Sequence, residues 1–593
     1  MQTYTAPLRD MRFVLHELHP APALPGHEEF TPELLDTVLE EAGKFCSEVL
    51  LPINASGDEE GCHYENGVVR TPKGFKEAYA AFNEAGWGAL NADPAYGGQG
   101  LPETVAKLVE EMICACNISF GLYPGLTHGA YLAMKSHASD ELKDFYLPKM
   151  VSGEWAGTMC LTEPHCGTDL GLLRTKAIPQ EDGSYSLTGS KIFISAGEHD
   201  MAENIIHLVL AKLPDAPAGV KGISLFLVPK FLPDENGKPG ARNGVSCAAI
   251  EHKMGIKASA TCQMNFDDAK GWLIGAPHKG MQAMFVMMNS ERLSVGTQGL
   301  GIGEAAYQGA VAYAKDRLQG RSLAGAKYPE KAADPIIVHP DIRRNLMTMR
   351  AYNEGCRALG VWVAGVMDIA ERSGDEKAKA EAEEFIAVMT PIVKALFTDL
   401  GFESANLAVQ TYGGHGYIRD HGMEQLVRDS RIAMIYEGTN GIQALDLVGR
   451  KLPANMGRGL RRFFHPVQDF IDGNQNDPAI GKLVQGFARG FGALQLATSF
   501  IAEKALKDPE EAGAAATEYL RLFGLVALGF MWMRSAKIAA GKLADAGPDA
   551  GFYKTKLATA RFFTERILPQ VGALLVSIKS GKASMMALED EAF

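Results

Sequence analysis

The 593-residue sequence lacks an apolar run, uninterrupted by charge, long enough to cross a bilayer. Its most apolar stretch, LFGLVALGFMWM between Arg521 and Arg534, falls well short of the roughly 20 residues a spanning helix needs. A buried bundle helix, and no transmembrane segment, is expected there. The opening MQTYTAPLRDMRF is mixed in charge with no apolar centre, so it does not read as a signal peptide. A basic excess is also missing. The net charge is −13, which argues against a nucleic-acid-binding surface as the main business of the chain. The 9 cysteines show neither the paired spacing of a zinc site nor a disulfide framework, and no metal is expected. Reduced thiols in a cytoplasmic setting are the simplest reading. Finally, no dinucleotide-binding glycine fingerprint is present. Gly299, Gly301 and Gly303 lie within a helical pattern and lack the third spaced glycine, so they read as helix-packing residues.

What is present is an ordinary globular composition, 46% hydrophobic and 22% charged, on a chain long enough for several domains. Thr31-Pro32 opens a helix whose apolar stripe runs through Leu35, Val38, Leu39, Ala42, Phe45 and Val49, with Pro52 as its stop. Further helices are expected over 71–85, 105–116 and 140–151, with turn chemistry in DPAYGGQGLP. Near Gly157 the texture changes to short β-rich segments at 185–187, 191–195, 205–211, 222–228 and 260–266, which read as antiparallel strands. Helical periodicity returns at Gly280 and continues, past a break at LPANMGRG, to the C-terminus. The expected fold is α+β, mainly α. It has an N-terminal helical domain at 1–156, a middle antiparallel β-barrel domain at 157–277, a helical bundle at 278–452 and an extra helical domain at 453–593.

Three separated motifs carry chemistry: MCLTEPHCGTD (159–169), KIFIS (191–195), and the stretch from QTYGGHGY through RDSRIAMIYEGT (410–439). In this order and spacing, over roughly residues 35–450, the chain resembles the acyl-CoA dehydrogenase family, and the helix–β–helix order is that family's architecture. The resemblance implies an FAD cofactor. A flavin ring needs hydroxyl and main-chain donors on one edge and a wall against its face. Met159, Leu161 and Thr162 would line the ring, Gly167 and Thr168 would approach the phosphates closely, and Phe193 and Ser195 would cover the other side. The usual tryptophan, serine and frequent tyrosine of the family are here Phe193, Thr168 and Met159, so an aromatic wall and a hydroxyl are retained. Arg317, Gln319, Gln410, Gly413 and Gly414 match residues that complete FAD across a subunit interface, with Thr439 and Gly441 as further contacts. A homodimer or higher homo-oligomer is implied.

Glu437 in MIYEGT matches the family's catalytic base, which removes the α-proton of an acyl-CoA thioester while a β-hydride leaves to the flavin. Desolvation by Met434, Ile435 and Tyr436 would make the carboxylate a stronger base, and donors to the thioester oxygen would stabilise developing charge. Gly438 permits a tight turn. Glu291 in MNSERLSV falls where a minority of the family, including isovaleryl-CoA dehydrogenases, place their base; it is read here as a helical neighbour. Thr168, Asn289, Arg292, Tyr436 and Gly438 are expected substrate contacts. The whole chain, including the opening YTAPLRDMRFVLHEL and the segment YEGTNGIQALDLVGRKL, looks most like the branch acting on the CoA thioester of methylthiopropionate. A medium- or long-chain fatty acyl-CoA dehydrogenase is the first alternative. An acyl-CoA oxidase, or a DNA-associated flavoprotein of the alkylation-response (AidB) type using Arg458, Arg461 and Arg462, are others. An electron-transfer flavoprotein is the expected electron acceptor.

Overall fold

The computed structural model describes residues 2–21 and 23–593. Two compact units emerge: one of residues 42–101 and 116–294, the other of residues 1–41, 102–115 and 295–593.

The first of these carries the β domain. Seven strands form one sheet: β1 (Trp155–Cys160), β2 (Lys176–Pro179), β3 (Tyr185–Ser195), β4 (Asn204–Lys212), β5 (Ile223–Pro229), β6 (Val245–Ile250) and β7 (Thr261–Ile274). They run in the order β6-β7-β3-β2-β4-β1, and β5 pairs with both β7 and β4, so the sheet curls back on itself. Its core holds Leu187, Val209, Phe226, Val228 and Phe266, all fully buried. Strand β4 is buried along eight of its nine residues, as a strand covered on both faces must be. Two strand pairs correct the antiparallel expectation: β2 meets β4 in parallel at Lys176 and Lys212, and a longer pair does the same. Strands β1 and β4 are parallel, with Trp155 opposite Asn204 and Cys160 opposite Val209. Side-chain alternation carries no direction. A parallel pair needs a long crossover, and residues 161–203, with β2 and β3 inside them, provide it. The two short segments expected at 185–187 and 191–195 are one continuous strand, β3.

Helix ends also depart from the sequence expectation. The Pro32–Phe45 helix does not stop at Pro52; a π turn (Cys46–Leu50) and a 3-10 turn (Leu51–Ile53) carry it into the Asn54–Glu60 helix. Pro52 sits in the first positions of that 3-10 turn, where a missing N–H costs little. The helix expected to end at Cys116 continues as Glu103–His137, yet Asn117 has φ −162° and breaks it. The Asn117 side chain accepts the Phe120 N–H at 3.0 Å, capping the second half from within.

The other unit is a bundle of long helices, principally Pro340–Arg372, Glu376–Tyr412, Arg458–Asn474, Gly481–Ala505 and Pro509–Lys542. The helix Gly280–Asp316 enters it at Val295. Glycines in that helix let backbones touch, as expected: a Cβ on Gly299 would lie 2.4 Å from the Phe397 carbonyl oxygen, and one on Gly301 2.7 Å from that of Glu111. Two helices carry windows apolar enough to span a membrane, in 376–417 and 509–545, but 78% and 83% of those windows are buried in protein. They are core helices. The Trp532 indole donates to the Ala351 carbonyl at 3.0 Å, tying the C-terminal extension to the Pro340–Arg372 helix.

A buried charge cluster ties the same parts together. Arg357 bonds Glu111, Glu304 (2.9 Å) and Asp10, and Lys556 bonds Glu354 (2.7 Å) and Asp10. Burial pushes the Glu111 carboxyl up to about 7 against the pull of Arg357.

Candidate active site

The two β-domain motifs are locked together by an ion pair that the sequence reading did not single out. Strand β1 runs out at Cys160, and Leu161 and Thr162 follow it. Lys191 on β3 is fully buried, and its Nζ donates to the Leu161 carbonyl at 3.0 Å and to Glu163 at 2.9 Å. Glu163 also accepts from the backbone of Arg174 (2.7 Å) and Thr175 (3.0 Å) and from the Thr175 hydroxyl (2.6 Å). Burial alone would raise this carboxyl; Lys191 and the hydrogen bonds outweigh it and hold the group below its ordinary value. Glu163, His165 and Cys166 cluster closely enough to suggest a metal site, but Lys191 already neutralises the carboxylate.

Around this pair stand the candidate cofactor residues. The Thr162 carbonyl accepts the Ile192 N–H at 2.9 Å. Phe193 has φ +57° and is 60% exposed, so a strained backbone turns an aromatic face outward from a sheet. The carbonyl of Ser195 accepts the Thr158 hydroxyl at 2.6 Å. Met159, Leu161 and Thr162 are half-buried, and Gly167 and Thr168 are exposed. An outward aromatic wall beside hydroxyls on a rigid strand end fits a flat, partly polar ring such as a flavin. On the Gly280–Asp316 helix, Asn289 is exposed while Arg292 is buried. Glu291 is buried too; its Oε1 lies where a Cβ on Gly129 would approach to 2.5 Å.

Glu437 sits in the helical unit, in a turn between the 3-10 segment Ile432–Met434 and the short helix Asn440–Asp446. Its φ is +56° and that of Gly438 is +81°, two successive left-handed residues. For glutamate this conformation carries strain, of a kind that clusters at functional sites. The surroundings fix it. Gln443 donates to the carbonyls of Glu437 (3.1 Å) and Gly438 (3.3 Å). Lys394, fully buried on the Glu376–Tyr412 helix, donates to the Gly438 carbonyl and to the Asn440 side chain, both at 2.9 Å. Asn440 in turn donates to Asp399 at 2.7 Å, whose carboxyl burial pushes up. Thr439 caps the short helix, accepting the Ile442 N–H at 3.3 Å. The Tyr436 hydroxyl donates to Gln298. Sequence reasoning missed Lys394 and Gln443. The available signal was a lone lysine in the apolar run TPIVKALF.

The remaining candidates fall in two places. Arg317 ends the Gly280–Asp316 helix, and Tyr313, one turn earlier, stacks on Tyr412 at 4.1 Å and bonds His415 at 2.8 Å. Arg317 is thereby brought to the Gln410–Gly414 segment. Gln319 is held by its N–H to the Asp334 carbonyl at 3.0 Å. Thr439 and Gly441 stand elsewhere. Their helix is anchored at Asp399, and about 17 Å of helix separates Asp399 from Gln410.

Comparison with known proteins places the chain. Family models match residues 32–154, 158–269 and 278–452, as the N-terminal, middle and C-terminal domains of acyl-CoA dehydrogenase. Residues 463–589 match an acetyl-CoA dehydrogenase C-terminal-like domain. The chain is 43% identical to 3-methylmercaptopropionyl-CoA dehydrogenase of Ruegeria pomeroyi, over 96% of this chain and 97% of the relative. It is 35% identical to a butyryl-CoA dehydrogenase of Syntrophomonas wolfei, over 100% and 99%. It is 34% identical to the broad-specificity linear acyl-CoA dehydrogenase FadE5 of Mycobacterium tuberculosis, over the full length of both. An acyl-CoA dehydrogenase complexed with FAD from Bacillus anthracis shares the fold, with TM-score 0.75 over 98% of this chain and 92% of its own at 22% identity. A chain in a solved structure of the electron transferring flavoprotein of Acidaminococcus fermentans also matches, with TM-score 0.59 and 26% identity over 72% of this chain and 100% of its own. The chain belongs to the acyl-CoA dehydrogenase family, FAD-dependent oxidoreductases acting on acyl-CoA, and carries an additional C-terminal helical domain.

Proposed function

We propose that Glu437 is the base that removes the α-proton of the acyl-CoA, and that 3-(methylthio)propanoyl-CoA is the substrate. The observation that carries the first assignment is the strained turn: Glu437 at φ +56°, followed by Gly438 at +81°, with both carbonyls tied down. Such a turn holds a carboxylate and its own N–H in a fixed relation. The N–H is suited to the thioester oxygen, where charge develops as the α-proton leaves. Met434 and Tyr436 stand half-buried beside Glu437, while Ile435, expected to shield the carboxylate, is exposed. A bound FAD would supply the acceptor for the hydride that leaves the β-carbon. Two electrons depart with that hydride and one proton passes to Glu437, so a Cα=Cβ double bond remains and the product is the trans-2-enoyl-CoA. Met159, Leu161, Thr162, Phe193 and Ser195 would hold the ring, Gly167 and Thr168 would meet its phosphates, and Asn289 and Arg292 would steady the CoA end. Glu291, packed against Gly129, is a structural carboxylate.

The methylthio substrate is supported by the relative at 43% identity over nearly the whole chain. The relatives named for butyryl-CoA and for broad linear acyl-CoA specificity support straight-chain acyl-CoAs as the second reading. Anaerobic titration of the holoprotein with straight-chain acyl-CoAs of graded length, and with 3-(methylthio)propanoyl-CoA, decides between them. The substrate bleaches the flavin absorbance at the lowest concentration. Glu437→Gln is expected to abolish bleaching while FAD stays bound, and Glu291→Gln to retain it; the reverse pattern moves the base to Glu291.

The separation of Arg317 and Gln410–Gly414 from Thr439 and Gly441 supports a homo-oligomer in which each subunit completes its neighbour's FAD site. The match to a chain in an electron transferring flavoprotein structure supports such a flavoprotein as electron acceptor. A cytoplasmic location fits nine free thiols, eight of them buried.

A further inference from the structure

We infer that Lys394, acting with Gln443, is a positioning residue for the reaction: it holds the turn that aims Glu437. The inference rests on Glu437 being the base. A lysine with no exposed surface is costly to keep, because its ammonium loses its water. Here the ammonium is spent on the Gly438 carbonyl and on the Asn440 side chain, each at 2.9 Å. Those two acceptors bracket Thr439 and lie one and three residues beyond Glu437. Gln443 reaches back to the carbonyls of Glu437 and Gly438 from the other side. The backbone there would not stay left-handed by itself. A glutamate at φ +56° falls back to ordinary dihedrals once its tethers go, swinging the carboxylate and its N–H together. Asn440 extends the clamp to the Ala395 carbonyl, Thr398 and Asp399, so the turn is fastened to the middle of one long helix and not to a mobile loop. Neither Lys394 nor Gln443 needs to touch the substrate to do this.

The test compares purified wild-type, Lys394→Met, Lys394→Arg and Gln443→Met holoenzymes. Four quantities are read: FAD content, steady-state kcat and KM with the acyl-CoA that bleaches wild type best, and deuterium uptake at that acyl-CoA's α-carbon in D2O. Methionine fills the lysine stem's volume without the tether. Lys394→Met is expected to keep FAD and KM within about threefold, while kcat and α-exchange fall together by roughly 100-fold, the cost of an ångström-scale misplacement. Lys394→Arg is expected to recover part of the loss. Wild-type kcat in Lys394→Met, or a loss matched by lost FAD, overturns the inference. If Lys394→Met does not fold, Gln443→Met decides: an unchanged kcat overturns the inference, and a kcat loss with normal FAD sustains it. A wild-type protein that bleaches with acyl-CoA but loses nothing in Glu437→Gln overturns the underlying assignment of the base instead.

Discussion

Two buried lysines, Lys191 and Lys394, each fasten a segment of the site from below, and each does so through a partner distant in sequence. Lys191 reaches Leu161 and Glu163 across 30 and 28 positions, and Lys394 reaches Gly438 across 44. This explains what could be read at the level of single residues. Glu437, Gly438 and the residues of TEPHCGTD and KIFIS stand in contiguous motifs, so their neighbours in sequence reveal them. A buried cation reveals itself only through its acceptor, and the acceptor lies on another element. Removing either member of the Glu163–Lys191 pair strands a buried charge, which typically costs 3–5 kcal/mol. Lys191→Met should lower the melting temperature of the holoprotein and speed FAD release, both followed by flavin fluorescence during a thermal ramp. The pH dependence has a definite sign. The Glu163 carboxyl is held below its ordinary value in the folded protein, so its contribution is fully present above the ordinary carboxylate range and is lost as pH falls through the folded value. FAD release from wild type should therefore accelerate on the acid side, and Glu163→Gln should flatten that limb.

Among the elements, helices were legible where caps and stripes are local: Asp140–Val151 and the stop before Gly86 are where the sequence puts them. Strand direction and helix continuity were less legible. The parallel β1–β4 pair is a property of the path between strands, and the Asn117 break is a cap made by a side chain inside what otherwise reads as one helix. The packing glycines are testable at this scale. Gly299→Ala would drive a Cβ to 2.4 Å from the Phe397 carbonyl oxygen, and neither backbone can yield cheaply. A loss of about 1–3 kcal/mol is expected, read from urea unfolding. A second element-level test concerns Asp368 on the Pro340–Arg372 helix, which accepts the Glu103 N–H at 2.9 Å at the start of the Glu103–His137 helix. Burial pushes this carboxyl up to about 7. The folded protein thus keeps a proton that the unfolded chain has released, and stability falls as pH rises from about 4 to 7. Asp368→Asn, uncharged throughout, should remove that slope and be the more stable form at pH 8 by on the order of 2 kcal/mol. Thermal melts of both proteins across that range check it.

At the scale of the whole molecule, the residues after 452 are packed into the same unit as the bundle that bears Glu437. The Pro509–Lys542 helix places Trp532 on Ala351 and Gly524 against Leu396. Two of the three arginines at the start of the extension pair with the bundle as well: Arg458 with Glu384 at 2.8 Å and Arg462 with Glu381 at 3.0 Å. A chain ending at 452 would uncover those apolar helix faces and leave Asp10 and Glu354 without Lys556. It is expected to aggregate, as judged by soluble yield and size-exclusion chromatography; a monodisperse yellow protein of residues 1–452 would show the extension to be separable. The shared hold of Asp10 and Lys556 reaches further. During synthesis the first of them leaves the ribosome 546 residues ahead of the second. Arg357 can meet its carboxylates earlier, but Asp10 waits for Lys556 across that whole interval, and Glu354 for the later part of it. This enzyme should therefore lean heavily on chaperones while it is being made, and little once it is complete.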